Sequence, residues 1–216
     1  MDPGSFLEVT LASAREARAD GAPIHPQAAA AHAANESGFG TSQLSRAPHR
    51  NLFGVKAMGS ANAYWSGSVV TLPTWEIVGG KRVDTTAAFR TYATYRDAFA
   101  DYGDLIRRLY PSAADGRDRD LTFLAGLFLT GPRKWATDPA AFDKAARILA
   151  QHANVLYADP DSDGRAAETL VLADLTWEDR LRVLTGGSEV ALRGAFSWRT
   201  RGGRLDARRE RREGGA

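Results

Sequence analysis

Apolar residues recur at helical spacing in the first part of the chain. One set predicts a helix with a single apolar stripe that ends near residue 20, and it consists of Phe6, Leu7, Leu11, Ala14 and Ala17. A second helix is predicted to begin at His25-Pro26, since proline is favoured in a first helical turn, and to run through the alanine-rich stretch 27–35. Alanine forms helices well and has little bulk, so neighbouring elements can approach this helix closely. We therefore expect it to be central and buried.

The pattern changes between residues 63 and 92 to aromatic, β-branched and threonine residues, which are typical of strands. Gly79 and Gly80 lie between two such runs and predict a hairpin turn, because glycine adopts positive φ without strain. Helical spacing returns in three later groups, which are 99–109, 121–129 and 142–150. Strands inserted between helices predict an α+β fold rather than alternating β-α-β units.

The composition narrows the class of protein. The chain has 216 residues, of which 44% are hydrophobic and 25% charged, as expected for a globular protein with one medium-sized core. It contains no cysteine, which excludes disulfide frameworks, thiol catalysis and cysteine-ligated metals. No apolar run approaches the roughly 18 residues that a membrane span needs. The N-terminus carries Asp2 and Glu8 where an export signal would carry basic residues, so no signal peptide is predicted.

The C-terminal end is basic, although the whole chain has a formal net charge of only +2. Residues 193–216 contain eight arginines and three acidic residues, which leaves a local excess of five positive charges. This cluster is a candidate patch for an anionic polymer, and the alternative is a solvated tail without a partner. Residues 159–164 are rich in Asp, Pro, Ser and Gly and predict a linker. We expect a main domain over 1–158, this linker, and a segment over 165–216 with short helices and the arginine-rich tail.

Glu36 follows the alanine-rich helix and precedes Ser37-Gly38-Phe39-Gly40, so it is predicted to lie at the C-terminal end of that helix. The negative end of the helix dipole and burial beside Phe39 would both raise the pKa of its carboxyl group. A carboxylic acid that stays protonated near neutral pH is what a glycosidase needs to protonate a departing sugar oxygen. From the residues alone, the alternative is a glutamate at a helix end that faces water.

Five short motifs follow one another along the chain. They are Glu36-Ser37-Gly38-Phe39-Gly40, Asn51-Leu52-Phe53-Gly54-Val55-Lys56-Ala57, Trp65-x-Gly67, Thr74-Trp75-Glu76 and Phe89-Arg90-x-Tyr92. In order and in spacing, they resemble the N-acetylglucosaminidases of glycoside hydrolase family 73. That family includes bacterial autolysins, phage wall hydrolases and the hydrolase domain of the flagellar rod cap. The resemblance extends from about Phe6 to about Leu156.

The resemblance implies a lysozyme-like α+β domain with a glycan groove between a mainly helical lobe and a small antiparallel β-hairpin lobe. The implied substrate is the glycan strand of peptidoglycan, cut at the β-1,4 bond from N-acetylglucosamine to N-acetylmuramic acid. By position, Glu36 resembles the general acid of the family and Glu76 its second carboxylate. Glu76 is expected to act as base or charge stabiliser, unless the 2-acetamido group of the substrate is the internal nucleophile. A carboxyl separation of about 6.5–9.5 Å leaves room for water, whereas about 5 Å indicates a direct nucleophile.

The other candidate residues are expected to bind the sugar chain, and they are Phe39, Asn51, Phe53, Lys56, Trp65, Trp75, Tyr92 and Trp135. We interpret the loop of Asn51 and Phe53 chiefly as the structural floor of the cleft, with Lys56 as a candidate contact to acetamido or lactyl groups. The tryptophans and Tyr92 are candidate platforms for sugar faces. Filling of the core is the alternative for each ring, and we favour it for Tyr92.

One motif departs from the family pattern. Family members commonly carry Tyr before Ala-Thr-Asp-Pro, whereas this chain has Trp135-Ala136-Thr137-Asp138-Pro139. Tryptophan has no hydroxyl group with which to orient an acetamido group or stabilise charge. Either another group, such as Tyr64 or Tyr92, takes this part, or turnover is slower.

Motifs for other chemistries are missing from the sequence. The four histidines lack zinc-binding spacing, and there is no serine-hydrolase elbow or phosphate-binding loop, so we predict no metal and no cofactor. We interpret the histidines as structural or surface residues. The expected partners are glycan strands and, at the arginine-rich tail, an anionic wall polymer, without nucleic acid. The expected place of action is the bacterial cell wall. The alternatives are a wall-binding module that has lost turnover and a hydrolase subunit of a phage tail or secretion assembly.

Overall fold

The structure, a computed structural model, describes residues 1–136, 138, 140–158, 196–201 and 204–209. The helices are Pro3–Ala19 (α1), Pro26–Ser37 (α2), Tyr95–Leu109 (α3), Pro111–Asp115 (α4), Asp120–Phe128 (α5), Ala141–Gln151 (α6) and Ala153–Leu156 (α7). The strands are Val69–Val78 (β1), Lys81–Arg90 (β2), Phe196–Arg201 (β3) and Arg204–Arg209 (β4). The chain divides into two compact units, Met1–Asp159 and Pro160–Ala216.

Helix α2 lies at the centre of the first unit, as predicted. It begins with Pro26, and Nδ1 of His25 accepts a hydrogen bond from the backbone N–H of Ala28 at 3.5 Å. Its six alanines at positions 28–31, 33 and 34 are fully buried. Helices α1, α5 and α6 pack against it. Because the alanine side chains are small, these neighbours come close, and α2 forms the core of the helical lobe.

The three later groups of apolar residues form α3, α5 and α6, which confirms the predicted helical patterns. Their buried large side chains include Phe99, Tyr102, Ile106, Phe123, Leu124, Leu127, Phe142 and Leu149. Helix α3 begins at a capping residue, since Oγ1 of Thr94 accepts a hydrogen bond from the backbone N–H of Asp97 at 3.1 Å. These helices complete a hydrophobic core around α2.

Strands β1 and β2 form an antiparallel hairpin whose register runs from Val69 opposite Arg90 to Val78 opposite Lys81. Gly79 and Gly80 form the turn with φ values of 59° and 77°, which confirms the predicted turn. Most residues of β2 are exposed, so the hairpin forms a small lobe with little core of its own. The fold is α+β, as the sequence predicts.

A buried polar cluster joins the base of this hairpin to α3. Nη1 of Arg90 donates to both carboxylate oxygens of Asp101, at 2.8 and 2.9 Å. The Tyr92 hydroxyl and the Asn62 amide donate to the same carboxylate, each at 2.6 Å. The Trp65 ring covers the Arg90 guanidinium, whose Cζ lies 4.2 Å from the ring centroid. Because Asp101 is fully buried, water does not hydrate its charged carboxylate, and these donors take the place of water as hydrogen-bond partners.

In the second unit, β3 and β4 pair antiparallel, with Phe196 opposite Arg209 and Arg201 opposite Arg204. The sequence pattern predicts an arginine-rich tail there and does not predict this hairpin. The predicted linker 159–164 and the predicted helices between 165 and 195 lie outside the described residues. Within the described part of the chain, no helix has both the length and the apolar character needed to cross a bilayer.

Candidate active site

Glu36 lies in the last turn of α2, and a sharp turn follows it. Gly38, Phe39 and Gly40 have φ values of 59°, 54° and 73°, so three successive residues are left-handed and end the helix. Phe39 is strained there, because residues with a side chain rarely adopt this conformation. A Cβ atom at Gly40 would lie 2.6 Å from Cδ2 of Phe6, which explains the glycine. The turn leaves the Glu36 side chain at the edge of the core, 27% exposed.

His32 lies one helical turn before Glu36 and is fully buried. Its Nδ1 is 3.0 Å from the hydroxyl oxygen of Tyr102, and its Nε2 is 3.4 Å from Oε1 of Glu36. The second contact is chiefly electrostatic, since its alignment falls short of hydrogen-bond geometry. Aromatic rings with centroids 4.9–5.7 Å from the imidazole surround it, and they belong to Phe53, Tyr102, Phe128 and Trp135. A buried imidazole therefore lies directly behind the candidate acid.

The pKa of Glu36 lies below its ordinary value, which corrects the sequence-based expectation of a raised pKa. Burial does raise the pKa of this carboxyl group, as expected. However, the close imidazole of His32 stabilises the ionised form, and the Trp135 side chain adds a further, smaller contribution. Together these neighbours outweigh burial. The expectation is wrong because it considered the helix end and Phe39 and left out the groups contributed by the rest of the fold.

Trp135 and Phe39 are both half-buried and border the Glu36 site. The Trp135 ring packs edge-on against His32 at 4.9 Å and also contacts Tyr110 at 5.4 Å. The Phe39 ring packs against His152 at 5.4 Å. Both candidate sugar-binding rings therefore keep part of their surface accessible. Trp135, at the position where the resemblance expects a tyrosine, brings an indole N–H group near Glu36.

Trp65 and Tyr92 are each only 4% exposed and belong to the buried cluster at the hairpin base. The Trp65 indole N–H donates to the backbone oxygen of Ser68 at 2.7 Å, and its ring faces Arg90. The Tyr92 hydroxyl donates to Asp101, and burial, with the Asp101 charge next, raises the pKa of this phenol far above its ordinary range. This placement corrects the assignment of Trp65 as a sugar platform and agrees with core filling, the alternative favoured for Tyr92. It also removes Tyr92 as a substitute for the missing family tyrosine.

Asn51 and Phe53 are also buried, at 2% and 4% exposure. The Asn51 amide donates to the backbone oxygens of Val55 and Arg90, both at 2.9 Å, and its oxygen accepts from the Val55 N–H at 3.0 Å. The Phe53 ring stacks on Tyr102 with centroids 4.0 Å apart. These contacts agree with the interpretation of the loop as a structural floor. They leave neither side chain free to contact a sugar.

Three candidates remain predictions. Lys56 is exposed, and its backbone forms an isolated bridge with Phe89 in β2. Trp75 and Glu76 lie in β1, where Trp75 is opposite Asp84 and Glu76 is opposite Val83, near the turn of the hairpin. Their backbone position puts Glu76 on the small lobe, where the resemblance expects the second carboxylate.

The sequence analysis missed the contribution of His32 and Tyr102. The histidines were interpreted as structural or surface residues, and their spacing was compared only with that of zinc ligands. The separation of four residues between His32 and Glu36 was the available signal, because residues four apart share one face of a helix. Among the described residues, no group of three or more His, Asp or Glu side chains is placed to hold a metal ion.

Comparison with known proteins adds independent information. Residues 12–163 match the Glucosaminidase family, described as mannosyl-glycoprotein endo-beta-N-acetylglucosaminidase. The peptidoglycan hydrolase FlgJ of Vibrio parahaemolyticus is 34% identical over 150 residues, which cover 68% of this chain and 46% of that protein. A Lactococcus lactis protein named probable N-acetylmuramidase is 32% identical over 154 residues, covering 68% of this chain and 33% of that protein.

A solved structure agrees with the fold. The catalytic domain of the autolysin Auto from Listeria monocytogenes superposes with a TM-score of 0.61 at 25% identity, covering 73% of this chain and 87% of that one. The chain spans less than half the length of the two curated relatives named above. The family match, in contrast, covers more than half of this chain. The chain therefore belongs to the Glucosaminidase family, glycoside hydrolase family 73, and has its lysozyme-like α+β fold.

Proposed function

We propose that this protein is a peptidoglycan hydrolase that cleaves the β-1,4 bond between N-acetylglucosamine and N-acetylmuramic acid, with Glu36 as the general acid. The observation that carries the proposal is the placement of Glu36. Its side chain stands at the end of a buried helix, is 27% exposed, and lies between a buried imidazole and the surface. A carboxyl group held at the edge of a core is suited to meet a substrate on one side while the protein fixes it on the other.

Glu36 must carry a proton when the glycosidic bond breaks. In the free protein, His32 and Trp135 lower the pKa of its carboxyl group against the opposing effect of burial. A bound glycan would cover the exposed part of the side chain and exclude water, which raises the pKa of a carboxyl group. The neutral acid would then donate its proton to the departing sugar oxygen. Binding of substrate is thus the step that prepares Glu36 for catalysis.

Glu76 is proposed as the second carboxylate, acting as base or as stabiliser of positive charge on the sugar ring. Its support is the position on β1, in a hairpin that is joined to the helical lobe through the Arg90–Asp101 cluster. If the 2-acetamido group of the substrate is the nucleophile, a carboxylate need only orient it or balance its charge. Replacement of Glu76 by Gln would then reduce turnover less than replacement of Glu36.

The proposed partner is the glycan strand of the bacterial cell wall, and the proposed site of action is outside the cytoplasm. The support is the family membership and the names of relatives, which include a peptidoglycan hydrolase and a protein named as a muramidase. An anionic wall polymer at the arginine-rich end is a further proposal. It rests only on the eight arginines between residues 193 and 216.

The test is digestion of purified sacculi, measured by the release of reducing ends. The wild type should release them, and Glu36→Gln should lower the rate by about 10²–10⁴-fold, because an amide has no acidic proton to give. Glu8→Gln, at an exposed position of α1, is the matched control and should leave the rate unchanged. Co-sedimentation with sacculi without release of reducing ends would instead support a wall-binding module. Full activity of Glu36→Gln would refute the acid assignment.

A further inference from the structure

Tyr102, His32 and Glu36 form a line of side chains from the core to the protein surface. Tyr102 in α3 is fully buried, and its hydroxyl oxygen lies 3.0 Å from Nδ1 of His32. The opposite ring nitrogen, Nε2, lies 3.4 Å from Oε1 of Glu36. Helix α2 holds His32 and Glu36 on one face, while α3 supplies Tyr102 from the other side. The imidazole thus bridges a buried phenol and a partly exposed carboxyl group.

The Tyr102 contact favours the imidazole tautomer with its proton on Nε2. A buried tyrosine hydroxyl needs an acceptor for its single proton, and Nδ1 of His32 is at hydrogen-bond distance. Burial, with the charge of Glu36 as the next cause, raises the pKa of Tyr102, so the phenol keeps that proton. When Tyr102 donates to Nδ1, a neutral His32 carries its own proton on Nε2. The N–H group then faces Glu36.

The surroundings favour this arrangement because they exclude water. The rings of Phe53, Phe128 and Trp135 pack around the imidazole. In such an apolar environment, an interaction between an N–H group and a carboxylate is stronger than in water. The 3.4 Å contact lacks only the alignment of a hydrogen bond, so a small rotation of the carboxyl group would complete it.

We propose that His32, oriented by Tyr102, is a positioning residue that holds Oε1 of Glu36 and leaves Oε2 to carry the catalytic proton toward the substrate. This inference rests on the proposed function of Glu36 as general acid. It explains why an imidazole, and not another alanine or leucine, occupies a fully buried position of a helix otherwise rich in alanine. In this arrangement His32 contacts Glu36 and acts only through it.

The titratable groups around this line come from three parts of the fold. Glu36 shares helix α2 with His32, and Tyr102 faces it from α3. Tyr110, which caps α4, packs against Trp135, and the Arg133 guanidinium lies 6.0 Å from the Tyr110 ring centroid. A change at His32 is therefore best compared with a change at Tyr102, which contacts it, and with a change at Tyr95, which does not.

The experiment measures the ionisation of Glu36 directly, by NMR titration of its carboxyl carbon in the full chain. His32→Leu removes the donor, so the pKa of Glu36 should rise. His32→Gln should restore part of the wild-type value, since its amide can donate to Glu36 and accept from Tyr102. Tyr102→Phe should also raise the pKa, whereas Tyr95→Phe, which loses a hydroxyl bond to the Ser45 backbone oxygen, should not. The wild-type ¹⁵N spectrum should show the His32 proton on Nε2.

Kinetics on soluble glycan strands provide a second readout. A higher pKa keeps Glu36 protonated to higher pH, so the alkaline limb of the rate profile should move upward in His32→Leu and return toward wild type in His32→Gln. An unchanged Glu36 pKa in folded His32→Leu, or a proton on Nδ1 of His32, overturns the inference. If His32→Leu does not fold, the Glu36 pKa in Tyr102→Phe is compared with that in Tyr95→Phe. Equal values in these two variants then overturn the inference. Absence of turnover in the wild type would count against the proposed function alone, because the titration needs no substrate.

Discussion

Replacement of Arg90 by Met should destabilise the protein strongly. The Arg90 and Asp101 side chains are 6% and 0% exposed, and Arg90 provides two of the four hydrogen bonds that reach the Asp101 carboxylate. The variant keeps the donors of Tyr92 and Asn62 but removes the only positive charge among these four contacts. A buried carboxylate is thus left without its counter-charge.

The size of the effect follows from this burial. Removal of one partner from a buried ion pair costs about 3–5 kcal/mol in the free energy of unfolding. For a domain of this size, such a loss lowers Tm by about 2–4 °C per kcal/mol, or about 6–20 °C in total. The matched control is Arg96→Met, because Arg96 and its partner Asp20 are 40% and 48% exposed. Because water screens an exposed pair of this kind, Arg96→Met should destabilise the protein much less than Arg90→Met.

Urea denaturation, followed by circular dichroism, measures both variants against wild type. Arg90→Met should lower the free energy of unfolding by several times as much as Arg96→Met. The double variant Arg90→Met/Asp101→Leu should recover part of the loss, because it removes the unpaired charge. If the free energies of unfolding of Arg90→Met and Arg96→Met differ by less than about 1 kcal/mol, the buried ion pair does not stabilise the contact between the hairpin and α3 as described.

Three further predictions concern the site and its supports. Gly40→Ala should lower the free energy of unfolding by about 1–3 kcal/mol in urea denaturation, because φ is 73° and the new Cβ would lie 2.6 Å from Phe6. The control Gly21→Ala, at φ 93° with open space around the new Cβ, should lower it less. Equal losses in the two variants would argue against the close contact with Phe6. Asn51→Ala should cost about 2–4 kcal/mol, because it breaks three hydrogen bonds inside the loop, and an unchanged urea midpoint would disprove that role. In pH profiles, kcat/KM should fall as pH rises through the lowered pKa of Glu36 in the free protein. The fall in kcat should come at higher pH, because bound glycan covers the carboxyl group and raises its pKa. If kcat and kcat/KM fall over the same pH range, this explanation is wrong.

Local rules were sufficient to predict the elements that carry the site. The run of alanines after Pro26 predicts α2 and its burial, since both follow from composition at helical spacing. Gly79 and Gly80 predict the hairpin turn because few other residues tolerate their backbone angles. The position of Glu36 at a helix end also follows from its neighbours in sequence. Features that depend on residues close together in the chain could therefore be predicted from the sequence.

Features that depend on tertiary contacts were not predicted. Trp65 has the residue type of a sugar platform, but packing against Arg90 places it in the core, a placement that the sequence interpretation favoured only for Tyr92. Burial raises the pKa of Glu36, and the opposing contributions come first from His32 and then from Trp135, about one hundred residues away in the chain. Single-sequence patterns contain no information on which distant side chain meets a given carboxyl group. His32 was the exception, since its spacing from Glu36 was visible.

The most direct test of the account is mass spectrometry of muropeptides after borohydride reduction of digested sacculi. If Glu36 protonates the oxygen of the N-acetylglucosamine–N-acetylmuramic acid bond, reduced N-acetylglucosamine should stand at the new chain ends in the wild-type digest. The Glu36→Gln digest should lack these ends. Reduced N-acetylmuramic acid at the new ends would show that the neighbouring bond is cut and would contradict the proposed specificity.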